Sequence, residues 1–192
     1  MGFPSGEIRF VADITVGKAA KWLRILGFDA CFMRRLDEGF LAARLAEGRI
    51  LITRDSRLAV RRGMTNALLL TADDPAAQVA DILRRLGLVE AVREAVGRLE
   101  AETHGPPAAG PRLPLSGAGA GWPRPLSRCI RCNEPLAEVS RAEAAPEVPD
   151  FTWATQGRFQ RCPVCRRVYW PGTHRERILA ALAALGPGCG SR

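Results

Sequence analysis

Apolar residues along the first hundred positions alternate between short strand-length runs and helical stripes. Ile8–Ala12 is an apolar run that ends at Asp13. From Val16 the positions Val16, Ala19, Ala20, Leu23 and Leu26 recur at three- and four-residue intervals, which is one face of a helix, and Gly27 stops it. Phe28–Met33 reads as a second strand. Asp37–Glu47 is helical, with Leu41, Leu45 and its alanines inward, and Gly48 ends it. Arg49–Thr53 is the strongest strand pattern, followed by Asp55 and a helical turn from Ser56 to Arg62. Asn66–Leu70 is another strand. Pro75 suits the first position of the helix Ala76–Leu86, and a further helix runs from Leu88 to Glu102. Strand and helix alternate four times. The expected class is α/β, a mostly parallel sheet with helices on both faces.

Positions 104–125 are a different material. Gly105-Pro106-Pro107 and Gly117-Ala118-Gly119-Ala120-Gly121 cannot build a core and read as a linker. A small cysteine-bearing module follows from Leu126 to Pro171. Thr173–Leu185 is an amphipathic helix with Ile178, Leu182 and Leu185 as its stripe. The expected organisation is a first domain at 1–103, a linker at 104–125, the module at 126–175 and a helix and tail at 176–192.

The 192 residues are 47% hydrophobic, enough for one ordinary core and a small satellite. No apolar run approaches the length of a membrane span. The start of the chain has neither the basic nor the apolar region of a secretory signal, so a reducing cytoplasm is the expected compartment. The net charge of +8 is uneven. Residues 1–104 carry 16 Lys and Arg against 14 Asp and Glu, while residues 105–192 carry 12 against 6. The basic excess travels with the cysteine module, the charge pattern of a domain that meets a polyanion.

That module carries two identical pairs, Cys129-x-x-Cys132 and Cys162-x-x-Cys165. Each pair puts two thiolates on one tight turn, and two facing turns make the four sulfur ligands of tetrahedral Zn²⁺. Sulfur fills every position, so the expected zinc is structural. The 29 intervening residues call for a ribbon with a long hairpin. Two disulfides or an iron–sulfur cluster are the alternatives, and nothing points to the oxidising compartment that disulfides require. Cys31, in a strand-like run, reads as a core residue, and Cys189, in the Gly-rich tail, as an unpaired thiol.

Ligands of an open parallel sheet gather at the carboxyl ends of its strands. Asp13 follows the first strand and Asp55 the third, while Asp37 and Glu38 open the helix after the second. Converging there, such carboxylates would hold one or two Mg²⁺ or Mn²⁺ ions suited to phosphodiester cleavage. Taken singly, Asp37 and Asp55 also fit helix caps. Asp13 fits less well, because Thr15 is available to cap. Clustered carboxylates would repel, so Asp13→Asn is expected to keep or raise stability without metal. Lys18, Lys21 and Arg24 fall on the outward side of the first helix, where they would grip a phosphate backbone or form a solvated face. Trp22 sits at the border of that helix's faces, suited to partial burial or base stacking. Arg54 would contact a phosphate or pair with a carboxylate.

The segments Phe10-Val11-Ala12-Asp13, Lys21-Trp22-Leu23-Arg24-Ile25-Leu26-Gly27-Phe28-Asp29 and Gly48-Arg49-Ile50-Leu51-Ile52-Thr53-Arg54-Asp55 resemble the Mut-seven C-terminal RNase domain family. The ribbon is similar too, from Arg128-Cys129 to Cys132-Asn133 and from Cys162 through Cys165-Arg166-Arg167-Val168-Tyr169-Trp170-Pro171-Gly172-Thr173-His174. The resemblance spans residues 8–175 apart from the linker. It implies a PIN-like nuclease domain, a C-terminal zinc ribbon and a metal-dependent ribonuclease. Asp13 would be the first acid, Asp37 or Glu38 the middle one and Asp55, in Thr53-Arg54-Asp55, a later one. The fourth is unassigned, with Asp73 and Asp74 as candidates, although Asp74 also fits a cap. The resulting expectation is an RNA endonuclease. Its Asp13, Asp37 and Asp55 hold Mg²⁺ or Mn²⁺, and its ribbon positions RNA through Arg128, Arg131, Arg158, Arg161, Arg166 and Arg167. The alternatives are a non-catalytic RNA- or ribosome-binding adaptor, and an interaction module built on Trp153, Tyr169 and Trp170, which otherwise pack the ribbon core.

Overall fold

The computed structural model describes residues 7–61, 64, 66–104 and 123–170. The expected helix at 173–185, the tail with Cys189 and all of the expected linker except 104 and 123–125 lie outside the described residues. Four strands form a parallel sheet in the order β2-β1-β3-β4, namely β1 (Arg9–Ala12), β2 (Asp29–Phe32), β3 (Ile50–Thr53) and β4 (Ala67–Leu69). The helices α1 (Gly17–Ile25), α2 (Glu38–Ala46), α3 (Ser56–Ala59), α4 (Pro75–Arg85) and α5 (Val89–His104) fill and follow the connections.

The strand pleat sorts the core into two layers. Phe10, Ala12, Ile50 and Ile52 face one way and pack with Leu23 of α1, Ile82 and Leu83 of α4 and Val92 of α5. Val11 and Leu51 face the other way, against Leu41 of α2 and Leu58 of α3. All four residues of β3 are buried, as a strand covered on both faces requires. This is the two-faced α/β class that the sequence pattern calls for. Trp22 is half-buried against the larger layer.

The cysteine module holds an antiparallel sheet, β5 (Ala137–Val139), β6 (Phe159–Arg161) and β7 (Val168–Tyr169), in that order. Helical turns, not a long hairpin, absorb the spacing between the cysteine pairs: α6 (Arg141–Ala144) and α7 (Asp150–Thr155) lie between β5 and β6. Ser140 and Glu143 close a capping box at the start of α6. Ala144, Val148, Phe159 and Val168 form a small core with Trp170 against it. Trp153 does not join this core. It is 41% exposed, with the Arg141 guanidinium 4.6 Å from its ring centroid.

The module is seated on the first domain. Leu126 N–H donates to the Ile25 carbonyl at 2.8 Å, at the end of α1. Gly27 has φ +93°, and a Cβ there would stand 2.1 Å from the Arg124 carbonyl oxygen. Gly27→Ala is therefore expected to lower stability by more than about 1 kcal/mol, from backbone strain and displacement of the 124–126 segment. Gly48→Ala, at φ +77° with no atom near the new Cβ, carries the strain alone and is the control for urea unfolding. On the outer edge of the sheet, both main-chain groups of Ala30 in β2 are engaged. Its N–H donates to Asn133 Oδ1 at 2.9 Å, and its carbonyl accepts from Arg24 Nε at 2.8 Å.

Candidate metal centre and nucleic-acid cleft

The two cysteine pairs form matching turns. Cys129 N–H donates to the Glu134 carbonyl and Asn133 N–H to the Cys129 carbonyl, while Cys162 N–H donates to Arg167 and Arg166 N–H to Cys162. In each turn the second cysteine's N–H points at the first sulfur, at 3.3 Å to Cys129 Sγ and 3.4 Å to Cys162 Sγ. The residue after each pair, Asn133 or Arg166, takes a left-handed conformation with φ 70° or 62°. Asn adopts it readily, and Arg at a cost.

The four sulfurs lie within 4.8 Å of one another. A tetrahedral zinc with bonds of about 2.3 Å sets sulfurs about 3.8 Å apart, and Cys129 and Cys165 stand at 3.6 Å. The residues fit the ion. Burial raises the Cys129 thiol, but bonds from the Tyr169 hydroxyl and the N–H groups of Cys132 and Arg131 outweigh it and hold the thiol at about 7. Burial and proton sharing with Cys165 and Cys129 push Cys132 up to about 12. A bound dication would stabilise the thiolate form of all four.

The acids behave differently. Among the described residues the cysteine quartet is the one group of three or more such side chains close enough to hold an ion. The expected convergence of Asp13, Asp37 and Asp55 is not seen. Asp37 caps α2 by accepting from Phe40 N–H, and Asp74 caps α4 by accepting from Ala77 N–H. Glu38 pairs with Arg61, whose guanidinium holds its carboxyl below the ordinary range, and Asp73 pairs with Arg54. Asp55 caps α3 through Arg57 and Leu58 N–H.

Asp13 also caps, at the short 3-10 turn Ile14–Val16 ahead of α1, so Thr15, which was available as a cap, is its donor. It is 5% exposed and accepts from Thr15 N–H, the Thr15 hydroxyl and the Thr53 hydroxyl. Because Asp13 accepts three bonds and faces no carboxylate cluster, the expected gain from Asp13→Asn is replaced by a loss of about 1–3 kcal/mol. Asp55→Ala is expected to lose about 0.5–2 kcal/mol as a deleted cap, and Asp55→Asn less, by urea denaturation.

Asp13 and Asp55 nevertheless share a neighbour. The Thr53 hydroxyl donates to Asp13 Oδ2 at 2.7 Å and accepts from Asp55 N–H at 2.9 Å. The Thr15 hydroxyl accepts from Arg54 N–H at 2.9 Å. This network lies at the carboxyl ends of β1 and β3. The chain leaves β1 toward β2 on one side and returns to β3 on the other, so this is the switch point of the sheet.

From that point an open cleft of about 570 Å³ runs beside α1 to the first cysteine turn. Its lining includes Thr15, Lys18, Lys21, Arg24, Arg34, Arg54 and Arg131, with Asp73 as its acid. The basic residues Lys18, Lys21, Arg54 and Arg131, expected from sequence, are thus brought together. The sequence reading missed Arg34, although Arg34-Arg35, separated by one residue from the end of β2, marks the same sheet edge.

Four of the expected contact residues, Arg24, Arg54, Arg128 and Arg161, are engaged in other bonds. Arg24 is 5% exposed, not outward, because its guanidinium is drawn under the cysteine module by main-chain carbonyls. Burial lowers its pKa, opposed by the charges of Cys31, Cys129, Asp29 and Cys132. Arg128 is half-buried, donating to the Asn133 carbonyl at 2.8 Å and pairing with Glu7. Arg161 pairs with Glu147. Arg166 and Arg167 stand exposed on the second cysteine turn, outside the cleft lining.

A buried ion pair missed in the sequence underlies the junction. Arg49, 5% exposed, donates to Asp29 Oδ1 at 2.7 Å and Oδ2 at 3.0 Å, and to Glu47 at 2.8 Å. Asn133 Nδ2 reaches the same Asp29 at 2.6 Å. Burial lowers the Arg49 pKa and raises that of Asp29, and in both cases the bonds and charge of the partner outweigh it. The usable signal was Asn133 itself, a side chain fixed by the turn directly after Cys132.

The sequence matches the Mut7-C RNAse domain over residues 8–99 and 119–182, and the chain belongs to that family. Both the sheet with its basic cleft and the cysteine quartet fall inside the matched segments. The family's ribonuclease character points to RNA as substrate. No curated protein and no solved structure matched the chain. Among the described residues no helix is long and apolar enough to cross a membrane.

Proposed function

We propose that this chain is a metal-dependent ribonuclease that draws RNA into the basic cleft and cuts it internally at the sheet edge beside Asp13 and Asp55. The cleft carries this reading: Lys18, Lys21, Arg34, Arg54 and Arg131 line one groove that opens at the switch point. A cage of three or four carboxylates does not fit the residues as they stand. Mg²⁺ is commonly held by one or two carboxylates together with a substrate phosphate, and Asp13 and Asp55, joined through the Thr53 hydroxyl just outside the cleft lining, are the carboxylates assigned that smaller role here. An ion so held supplies Lewis-acid stabilisation to the phosphate. The chain's own groups do the rest. The cleft cations orient the backbone, and Thr15 and Thr53 fix the Asp13 carboxylate through its hydrogen bonds. The zinc ribbon supplies Arg131 to the cleft wall and holds no chemistry.

The engagement of the acids in caps and ion pairs favours a second reading, an RNA-binding adaptor that does not cut. Labelled single-stranded and structured RNAs, incubated with Mn²⁺ or with EDTA, separate the two. Internal cleavage that needs Mn²⁺ and is lost in Asp13→Asn while RNA affinity persists supports the nuclease, and full activity in Asp13→Asn ends that placement of the site. Binding with no cleavage in any condition establishes the adaptor. For either reading, replacing Lys18 and Lys21 by Ala should lower the slope of log affinity on log salt by about two units, and replacing Arg166 and Arg167 should leave it unchanged.

A further inference from the structure

The cleft and the cysteine quartet meet at Arg24. Its Nε donates to the Ala30 carbonyl of β2 at 2.8 Å, and its Nη1 donates to the carbonyls of Ile130 at 2.8 Å and Arg131 at 3.0 Å. Ile130 and Arg131 are the two residues between Cys129 and Cys132, so the guanidinium grips the turn that presents two of the four sulfurs. Arg131 is exposed and lines the cleft. Only a planar fork serves this place, because one ammonium cannot reach β2 and the cysteine turn together. On the reading of the cleft as an RNA site, we infer that Arg24 is a positioning residue that makes the cleft depend on the zinc centre. Metal fixes the shape of the Cys129–Cys132 turn, Arg24 locks that shape to the edge of the sheet, and Arg131 is thereby held where a phosphate passes. Arg24 is 5% exposed and its Nε and Nη1 are taken up by main-chain carbonyls, so its part in the cleft is to hold Arg131 in place.

The test compares full-length wild type, Arg24→Met and Arg131→Ala, each loaded with zinc or stripped by chelator. The probe is a labelled oligouridine, with no Mg²⁺ or Mn²⁺ added. Zinc-loaded Arg24→Met is expected to keep one zinc per chain yet bind about tenfold more weakly, the equivalent of one hydrogen bond to a charged group. Its salt slope should fall by about one unit, although no phosphate contact was removed directly. Stripping zinc from wild type should weaken binding at least as much, and Arg24→Met should add nothing in the Arg131→Ala background. Arg24→Lys should behave like the Met variant and serves in its place if that one does not fold. Wild-type affinity and slope in the zinc-loaded variants, or losses that add to those of Arg131→Ala, would overturn the inference. Absence of RNA binding by zinc-loaded wild type strikes only the RNA reading, because hydrogen exchange still decides the coupling. Slow exchange at Ala30 and at residues 131–133 should be lost on chelation and also in zinc-bound Arg24→Met. Retained protection in that variant overturns it.

Discussion

Stripping the metal from the cysteine quartet, by chelator or by Cys129→Ser or Cys162→Ser, is expected to unfold the module at residues 123–170. Its apolar core is small: Ala144, Val148, Phe159 and Val168, with Leu136 beside the sulfurs. Such a core does not outweigh the ordering of nearly fifty residues, whereas structural zinc supplies on the order of 10–16 kcal/mol to small modules. Native mass spectrometry should show one zinc per chain, and a chain with two disulfides and no metal would exclude the site. The loss should extend beyond the module. Asn133 and the Ile130 and Arg131 carbonyls reach into the first domain, so the unfolding midpoint of residues 7–99 should also fall. A first domain indifferent to zinc would show that the contacts at Ala30 and Arg24 carry no net stability.

Asp29→Ala is expected to cost about 3–5 kcal/mol, because it leaves the Arg49 guanidinium buried without its bidentate partner. It also frees Asn133 and so loosens the module. The pair gives stability a sign with pH. Bonds from Arg49 and Asn133 hold the Asp29 carboxyl below its ordinary value despite burial. That contribution is therefore complete above the unfolded carboxylate pKa and is lost as pH falls through the folded one. Urea unfolding of wild type should weaken steeply below about pH 4, the ordinary range for an aspartate, while Asp29→Asn should start less stable and show a shallower acid limb. Parallel acid limbs would assign the titration to other carboxylates.

The sheet was legible because its signals are local. Ile50-Leu51-Ile52-Thr53 is an apolar run of strand length, and all four residues are buried. Asp74-Pro75 announces a helix start and provides one. The cysteine quartet was legible because both pairs and their turns are written in consecutive residues. Arg24 was not. By spacing it lies beside the stripe of Ala20 and Leu23, and by chemistry it belongs outside, but it is held inward by carbonyls more than a hundred positions away. The acids were ambiguous in another way. An aspartate after a strand suits a cap and a metal ligand equally, and the pattern does not show which donors reach it, such as Phe40 N–H at Asp37.

The engagement of Ala30 bears on how the chain behaves in company. A strand at the rim of a sheet offers its unpaired main-chain groups to any other extended chain, and β2 is four residues long and half apolar. The module is its escort: Asn133 and Arg24 occupy the donor and acceptor that a foreign strand would seek. Metal deprivation would therefore turn a folding defect into a colloidal one, with stripped molecules adhering edge to edge at concentrations where loaded ones stay apart.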